Sequence, residues 1–297
     1  MPARAMAAFA LAAMFLSPLE TSYAQSGSSN KLESEVDTEH IFGFTQGSDI
    51  GKAGDREPEL ESFLGFGKQT GSYLATSTAL SYKYSLADNF RIAPVLVLGS
   101  HNVDNVPGLP HRDQFEFEGA GGEIRYRVFD REHAPFGLTL SFEPGWSRID
   151  RDSGERVGQL GLPLIVLIDK DLISHKLYGA INIGYEPEWT RKSAIGGLER
   201  NSTLVIGSAL TMALARGVFI GAETRYFRKY EGIALNDFSG QALFVGPTLF
   251  VKLSEKWSFS AAWNMQVAGH AVGEAGNLDL KNFDRNEVLV RVSSNLN

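Results

Sequence analysis

Cysteine is missing from all 297 residues, so neither a disulfide scaffold nor a thiolate metal site is open to this chain. Long apolar runs are scarce as well. The one near the start, Ala5 to Leu16, is about a dozen residues, short of the roughly 20 that a helix needs to cross a bilayer. Beyond residue 25 no stretch is long and apolar enough for a membrane helix, and no segment reads convincingly as a helix of any kind. Basic runs and basic–aromatic patches are absent too, and with a formal net charge of −7 this speaks against nucleic acid as a partner. Histidine is sparse and dispersed, with no His-x-His or His-x-x-x-His pair, so no metal and no cofactor is expected.

What is present begins with "MPARAMAAFALAAMFLSPLETSYAQS", a basic start, an apolar stretch, and small residues at Ser22 and Ala24. This is the three-part plan of a cleaved signal peptide over residues 1–24, which sends the mature chain across a membrane. Residues 25–57 are polar, Gly-rich and without period, and are expected to form an N-terminal extension that is a plug or a periplasmic segment. Within them "FTQGSDIGKAGD" superficially resembles a phosphate loop but lacks the Gly-Lys-Ser/Thr ending and opens no helix. Asp49 and Asp55 in that stretch do not have the spacing of a calcium loop.

From Pro58 onward, period-two segments recur between turn signals. They predict strands near 58–68, 72–85, 90–102, 115–129, 136–149, 156–168, 174–189, 201–214, 217–230, 238–253, 257–269 and 286–297. The fold class is therefore all-β, with about twelve strands. Short turns such as "LADN", "FDREHAP", "DKDLIS", "LARG" and "LSEKW" alternate with longer polar links such as "HNVDNVPGLPHRDQ" and "AGHAVGEAGNLDLKNFDRNE". A membrane barrel is built in that order, with tight turns at the periplasmic rim and loops outside.

The two faces of each strand differ. Leu74, Leu80, Tyr82 and Tyr84 share one face of Ser72–Ser85, while Ala75, Ser77, Ala79, Ser81 and Lys83 share the other. The same sorting holds for Leu138, Leu140 and Phe142 against Thr139, Ser141 and Glu143, and for Trp257, Phe259, Trp263 and Met265 against Ser258, Ser260, Asn264 and Gln266. Aromatics gather at strand ends, as Tyr82, Tyr84 and Phe90, Phe129 and Phe136, and Trp257. The polar face carries Lys83, Arg91, Glu123, Arg125, Arg127, Glu143, Lys176, Glu186, Glu223, Arg225, Lys252 and Arg291, the candidates for lining a lumen.

These features together resemble a Gram-negative outer-membrane β-barrel: a closed, antiparallel, up-and-down transmembrane barrel over residues 58–297. The resemblance implies an outer-membrane location and, as partners, outer-membrane lipid, lipopolysaccharide and the barrel-assembly machinery. The chain ends "NEVLVRVSSNLN" without the terminal aromatic that such barrels usually carry, a departure from the pattern.

Lipid-modifying barrels place a Ser and a His on one strand face, which requires a separation of two residues. None of His101, His111, His133, His175 or His270 has a Ser so placed, and this argues against an enzyme. On the charged face cations outnumber anions eight to four, which favours a porin-like channel or transporter for small, anionic solutes. A second reading pairs Glu123 with Arg125, Arg127 with Glu143 and Glu223 with Arg225 to close a structural or adhesive barrel, whose outer loops 103–114 and 270–286 bind partners. A lipid-modifying enzyme is third. Nothing in the sequence fixes the oligomeric state.

Overall fold

Alternating side chains commit a segment to sheet, because a period of two hides one strand face and shows the other. The computed structural model describes residues 36–192 and 196–296, and every regular element in it is an antiparallel strand. The leader expected over residues 1–24, and the extension up to residue 35, lie outside the described residues. The strands are β1 (Arg56–Phe66), β2 (Ser72–Ala87), β3 (Phe90–Asp104), β4 (Arg112–Phe129), β5 (Gly137–Phe142), β6 (Gly145–Ile149) and β7 (Arg156–Gly161). They continue as β8 (Leu164–Ile173), β9 (Leu177–Lys192), β10 (Leu198–Ala215), β11 (Val218–Tyr230), β12 (Phe238–Lys252), β13 (Trp257–Ala271) and β14 (Asn286–Ser294).

The sheet closes on itself where β14 meets β1, with Leu60 opposite Val292. Closure satisfies the backbone of both would-be edge strands, the condition for crossing hydrocarbon. The fourteen segments make twelve crossings. β5 and β6 both pair with β4, and β7 and β8 both pair with β9, so each couple is one broken span. The breaks fall at Pro144 and Pro163, residues with no N–H to give to a ladder. Their carbonyls are used instead, accepting from the Gly122 and Glu143 amides at 2.9 and 3.0 Å.

The architecture is the closed up-and-down barrel of twelve crossings that the alternation predicts. Boundaries differ in places. The first strand begins at Arg56, inside the segment assigned to the extension, and residues 169–173, expected in a turn, continue β8.

Outward-facing positions carry apolar side chains along the strands: Leu80 is 55% exposed, Leu96 53%, Leu210 55% and Trp263 49%. The inward-facing Lys83, Thr139, Thr211 and Asn264 are at most 4% exposed. The barrel thus wears its hydrocarbon outside and its polar groups inside, the reverse of a soluble barrel.

Candidate solute site in the barrel lumen

The half of the lumen nearest the short turns is filled by the chain itself. Residues 36–55 form no helix or strand, so their backbone groups need partners from elsewhere. The barrel wall provides them. The Phe44 and Thr45 amides donate to the Glu223 carboxylate at 3.2 and 2.8 Å. The Gln46 amide donates to Asn182 Oδ1 at 2.7 Å, and Asn182 Nδ2 returns a bond to the Gln46 carbonyl at 2.8 Å. Hydroxyls of Ser85, Thr139 and Thr211 donate to the carbonyls of Ile50, Ser48 and Ile41. Ser48 Oγ and Thr38 Oγ1 both donate to Asp169.

Apolar anchors complete the seat. Ile41 and Phe42 are fully buried against Tyr178, Ala180, Ala209 and Phe219. Burying two such side chains contributes roughly 1.5–3 kcal/mol each. Gly43 follows in a left-handed conformation with φ of 89°, and a Cβ there would stand 2.7 Å from Thr248 Cγ2 and 2.8 Å from Glu223 Oε1. Only glycine fits both the turn and the space.

Above these anchors lies a charged network. The Glu39 carboxylate is gripped by both terminal nitrogens of Arg91, each at 2.6 Å, by Lys83 Nζ at 2.9 Å and by Arg125 Nη1 at 3.1 Å. Burial works to neutralise the Glu39 carboxyl, but Arg91, Lys83, His40 and Arg125 overcome it and hold it well below the ordinary carboxylate value. Lys83 Nζ also lies 3.1 Å from Glu57, 2.8 Å from Glu59 and 2.9 Å from His40 Nε2. Glu123 braces Arg91 at 2.9 Å and Arg125 at 2.8 Å. Arg125 also donates to Gln46 Oε1, while Arg291 binds Glu61.

At the opposite mouth two long loops fold inward. Residues 150–155, between β6 and β7, reach across to β1, β2 and β3: the Arg151 guanidinium sits 3.6 Å over the Phe63 ring, its carbonyl is 2.9 Å from His101 Nε2, and Tyr73 donates to the Asp152 carbonyl at 3.0 Å. Residues 272–285 tuck Asp284 against Lys68 at 2.7 Å and hold Asp279 with Gln266. Between residues 150–155 and the segment below remains a cavity of about 440 Å³. Its wall includes Ala79, Ser81, Ala93 and Gly119 to Gly122, small side chains that leave room. Its charged lining is Glu39, Glu59, Glu61, Glu118, Glu123, Glu143 and Glu188 with Lys83, Arg125, Arg151 and Arg291, besides His40.

Of the residues predicted to line the lumen, Lys83, Arg91, Glu123, Arg125 and Arg291 come together in the network around Glu39 and Glu59. Glu223 and Arg225 face inward but do not pair: Glu223 holds the Phe44 and Thr45 amides and Asn264, whereas Arg225 binds Glu287 and stacks 3.6 Å over Phe44. Arg127 does not meet Glu143 either. It lies at the short-turn end beside Asp130 at 3.6 Å and Asp49 at 3.8 Å, while Glu143 accepts from Ser141. The pair Glu123–Arg125 does form. Glu143 and Glu186 are half-buried, with no cation within 4 Å among the described residues. Lys176 and Lys252 leave the lumen altogether: both are exposed at the short-turn rim, Lys176 in the turn before β9 and Lys252 as the last residue of β12, where it meets Glu255 at 3.0 Å.

Sequence reasoning passed over Glu39 and His40, which sit in aperiodic chain, and Glu57, Glu59, Glu61, Glu118 and Glu188. A signal for three of them exists in "REPELESF", where Glu57, Glu59 and Glu61 recur at period two and so share one face. Ser100 and His101 are consecutive on β3 and leave it on opposite faces.

Solved structures place this geometry among known folds. The chain is similar to the COG4313 outer membrane channel from Pseudomonas putida F1, at 12% identity and a TM-score of 0.55, with 84% of this chain and 98% of that chain covered. It is also similar to the translocator domain of the autotransporter NalP from Neisseria meningitidis, at 15% identity and a TM-score of 0.52, with 83% and 90% covered. At these identities the likeness is one of fold, that of an outer-membrane β-barrel. Among curated proteins no sequence matches. A family model described as "Family of unknown function (DUF6662)" matches residues 34–296.

Proposed function

This chain belongs to the family of unknown function DUF6662, and we propose that it is an outer-membrane channel for small solutes, held shut at rest by its own residues 36–55. The observation that carries this reading is the division of the lumen. One half is stoppered by irregular chain that runs on into β1 and is otherwise seated by hydrogen bonds, ion pairs and apolar packing, and the other half keeps a cavity of about 440 Å³ walled by small residues and charges. A barrel built merely to be closed has no need of that space. The outward apolar band supports a place in the outer membrane, in contact with lipid and lipopolysaccharide after insertion by the assembly machinery.

The charge lining changes the expected solute. The excess of cations counted along the strands included Lys176 and Lys252, which stand outside, and omitted the first-strand glutamates. Seven carboxylates against four Lys and Arg side chains face the cavity, so its field favours cationic groups.

Since the chain has no cysteine, a reversible lock can be installed without background. Thr45 Oγ1 lies 3.1 Å from where a Cβ on Gly207 would stand. That is the reach of a sulfur to the partner Cβ across a disulfide bond of about 2.05 Å. The variant Thr45→Cys/Gly207→Cys, in planar bilayers, is expected to be silent when oxidised and to show discrete current steps after reduction. Silence of the reduced variant and of the parent chain in every condition would sink the channel and leave the closed barrel, binding through loops 103–114 and 270–286, in its place.

A further inference from the structure

Glu39 is bound as a ligand is bound. Its carboxylate takes a two-pronged grip from Arg91 and single contacts from Lys83 and Arg125, the planar fork by which arginine recognises carboxylates. The side chains of all three cations are at most 5% exposed. They project from β2, β3 and β4, which are rigid, whereas Glu39 belongs to the irregular segment.

Two further observations make this a site and not only a clasp. First, each cation has a second anchor on the wall: Glu123 for Arg91 and Arg125, Glu57 and Glu59 for Lys83. The socket therefore keeps its shape when Glu39 leaves. Second, Glu39, Lys83 and Arg125 all face the cavity, so a solute held there touches the socket directly.

We infer that the Lys83–Arg91–Arg125 socket is a carboxylate-binding site with Glu39 as its resident occupant, and that a carboxylate-bearing solute competes with Glu39 and thereby releases the segment 36–55. This rests on the channel reading for its consequence, but the binding itself does not. Removing Glu39 strips two buried arginines and a lysine of a shared partner, and an external carboxylate restores it.

The test uses the full mature chain refolded in detergent. Glu39→Ala deletes the equivalent of an acetate, so acetate is the probe, with chloride at equal ionic strength as the control. Glu39→Gln fills the same volume with an amide and has no room for it. Acetate is expected to bind Glu39→Ala at least about tenfold more tightly than Glu39→Gln, read by calorimetry, and to restore the hydrogen-exchange protection of residues 36–50. In the parent chain, acetate is expected to speed exchange of the same amides. No difference between the two variants, and no effect of acetate on the parent, would overturn the inference. If Glu39→Ala fails to refold, the parent experiment alone decides it. Because these readouts involve no current, a barrel that binds acetate but never conducts would retire the channel and keep the site, while a conducting barrel blind to acetate would do the opposite.

Discussion

Asp284 folds over Gly65 of β1, where a Cβ would have to push the Asp284 carboxylate aside. Burial pushes its carboxyl up to about 6 from the usual 3.8, while Lys68, 2.7 Å away, pulls the other way without prevailing. A carboxyl with a raised folded pKa holds its proton more tightly folded than unfolded, so stability falls with rising pH across the interval between the two values. The contribution of Asp284 is then fully present below about pH 3.8 and is lost as pH rises through about 6. Residues 272–285 are therefore expected to dock less firmly in neutral than in mildly acidic medium. Hydrogen exchange at about pH 4.5 and about pH 7.5, corrected for intrinsic rates, checks this. Asp284→Asn should flatten the dependence, and equal protection of the parent at both values would show that the carboxyl ionises freely.

The element that fills the half of the lumen nearest the short turns is residues 36–55, and its weak point is backbone geometry. A Cβ at Gly43 meets a left-handed φ of 89° and contacts under 3 Å with Thr248, Glu223 and Ala262. Left-handed strain of about 1–2 kcal/mol and overpacking of about 1–3 kcal/mol put the cost of Gly43→Ala at roughly 2–5 kcal/mol. That cost falls on docking of the segment and not on the ladders of the barrel. The expected result is a variant that still shifts on a gel with heating, as folded barrels do, but whose residues 36–50 lose exchange protection. Loss of the heat shift as well would mean that segment and barrel fold as one. The strands were legible in sequence because Leu80 against Lys83, or Leu140 against Thr139, obey a period that sheet geometry enforces. The segment was not, since Glu39, His40 and Ile41 follow no period and gain their positions from side chains up to 248 residues away, such as Arg291 reaching the Gly43 carbonyl. Lys176 and Lys252 show the converse: parity assigns a face, but only the length of the strand says whether that face is still in the lumen.

For the molecule as a whole, the socket and the cavity make opposite demands on a passing solute. The cavity presents seven carboxylates to four Lys and Arg side chains, and in the proposed open state Glu39 withdraws and uncovers Arg91, leaving six carboxylates to five cations. A low-dielectric wall focuses that imbalance, so the open barrel is expected to pass small cations in preference to anions. Reversal potentials in a salt gradient measure this directly, and Glu118→Gln/Glu143→Gln should move them toward anions, since neither carboxylate has a cation within 4 Å among the described residues. An anion-selective parent channel would instead mean that the carboxylates are neutralised in the open state. Yet the socket left by Glu39 demands a carboxylate. A zwitterion meets both conditions, its carboxylate toward Arg91 and Arg125 and its ammonium toward Glu118 and Glu143, which line the same cavity. Among ligands of equal length offered to Glu39→Ala, an amino acid should therefore bind more tightly than the plain carboxylic acid, and Glu118→Gln/Glu143→Gln should erase the difference while leaving acetate binding intact. Equal affinities for Glu39→Ala would place the unpaired glutamates out of reach of the socket, and would assign them to ion selectivity alone.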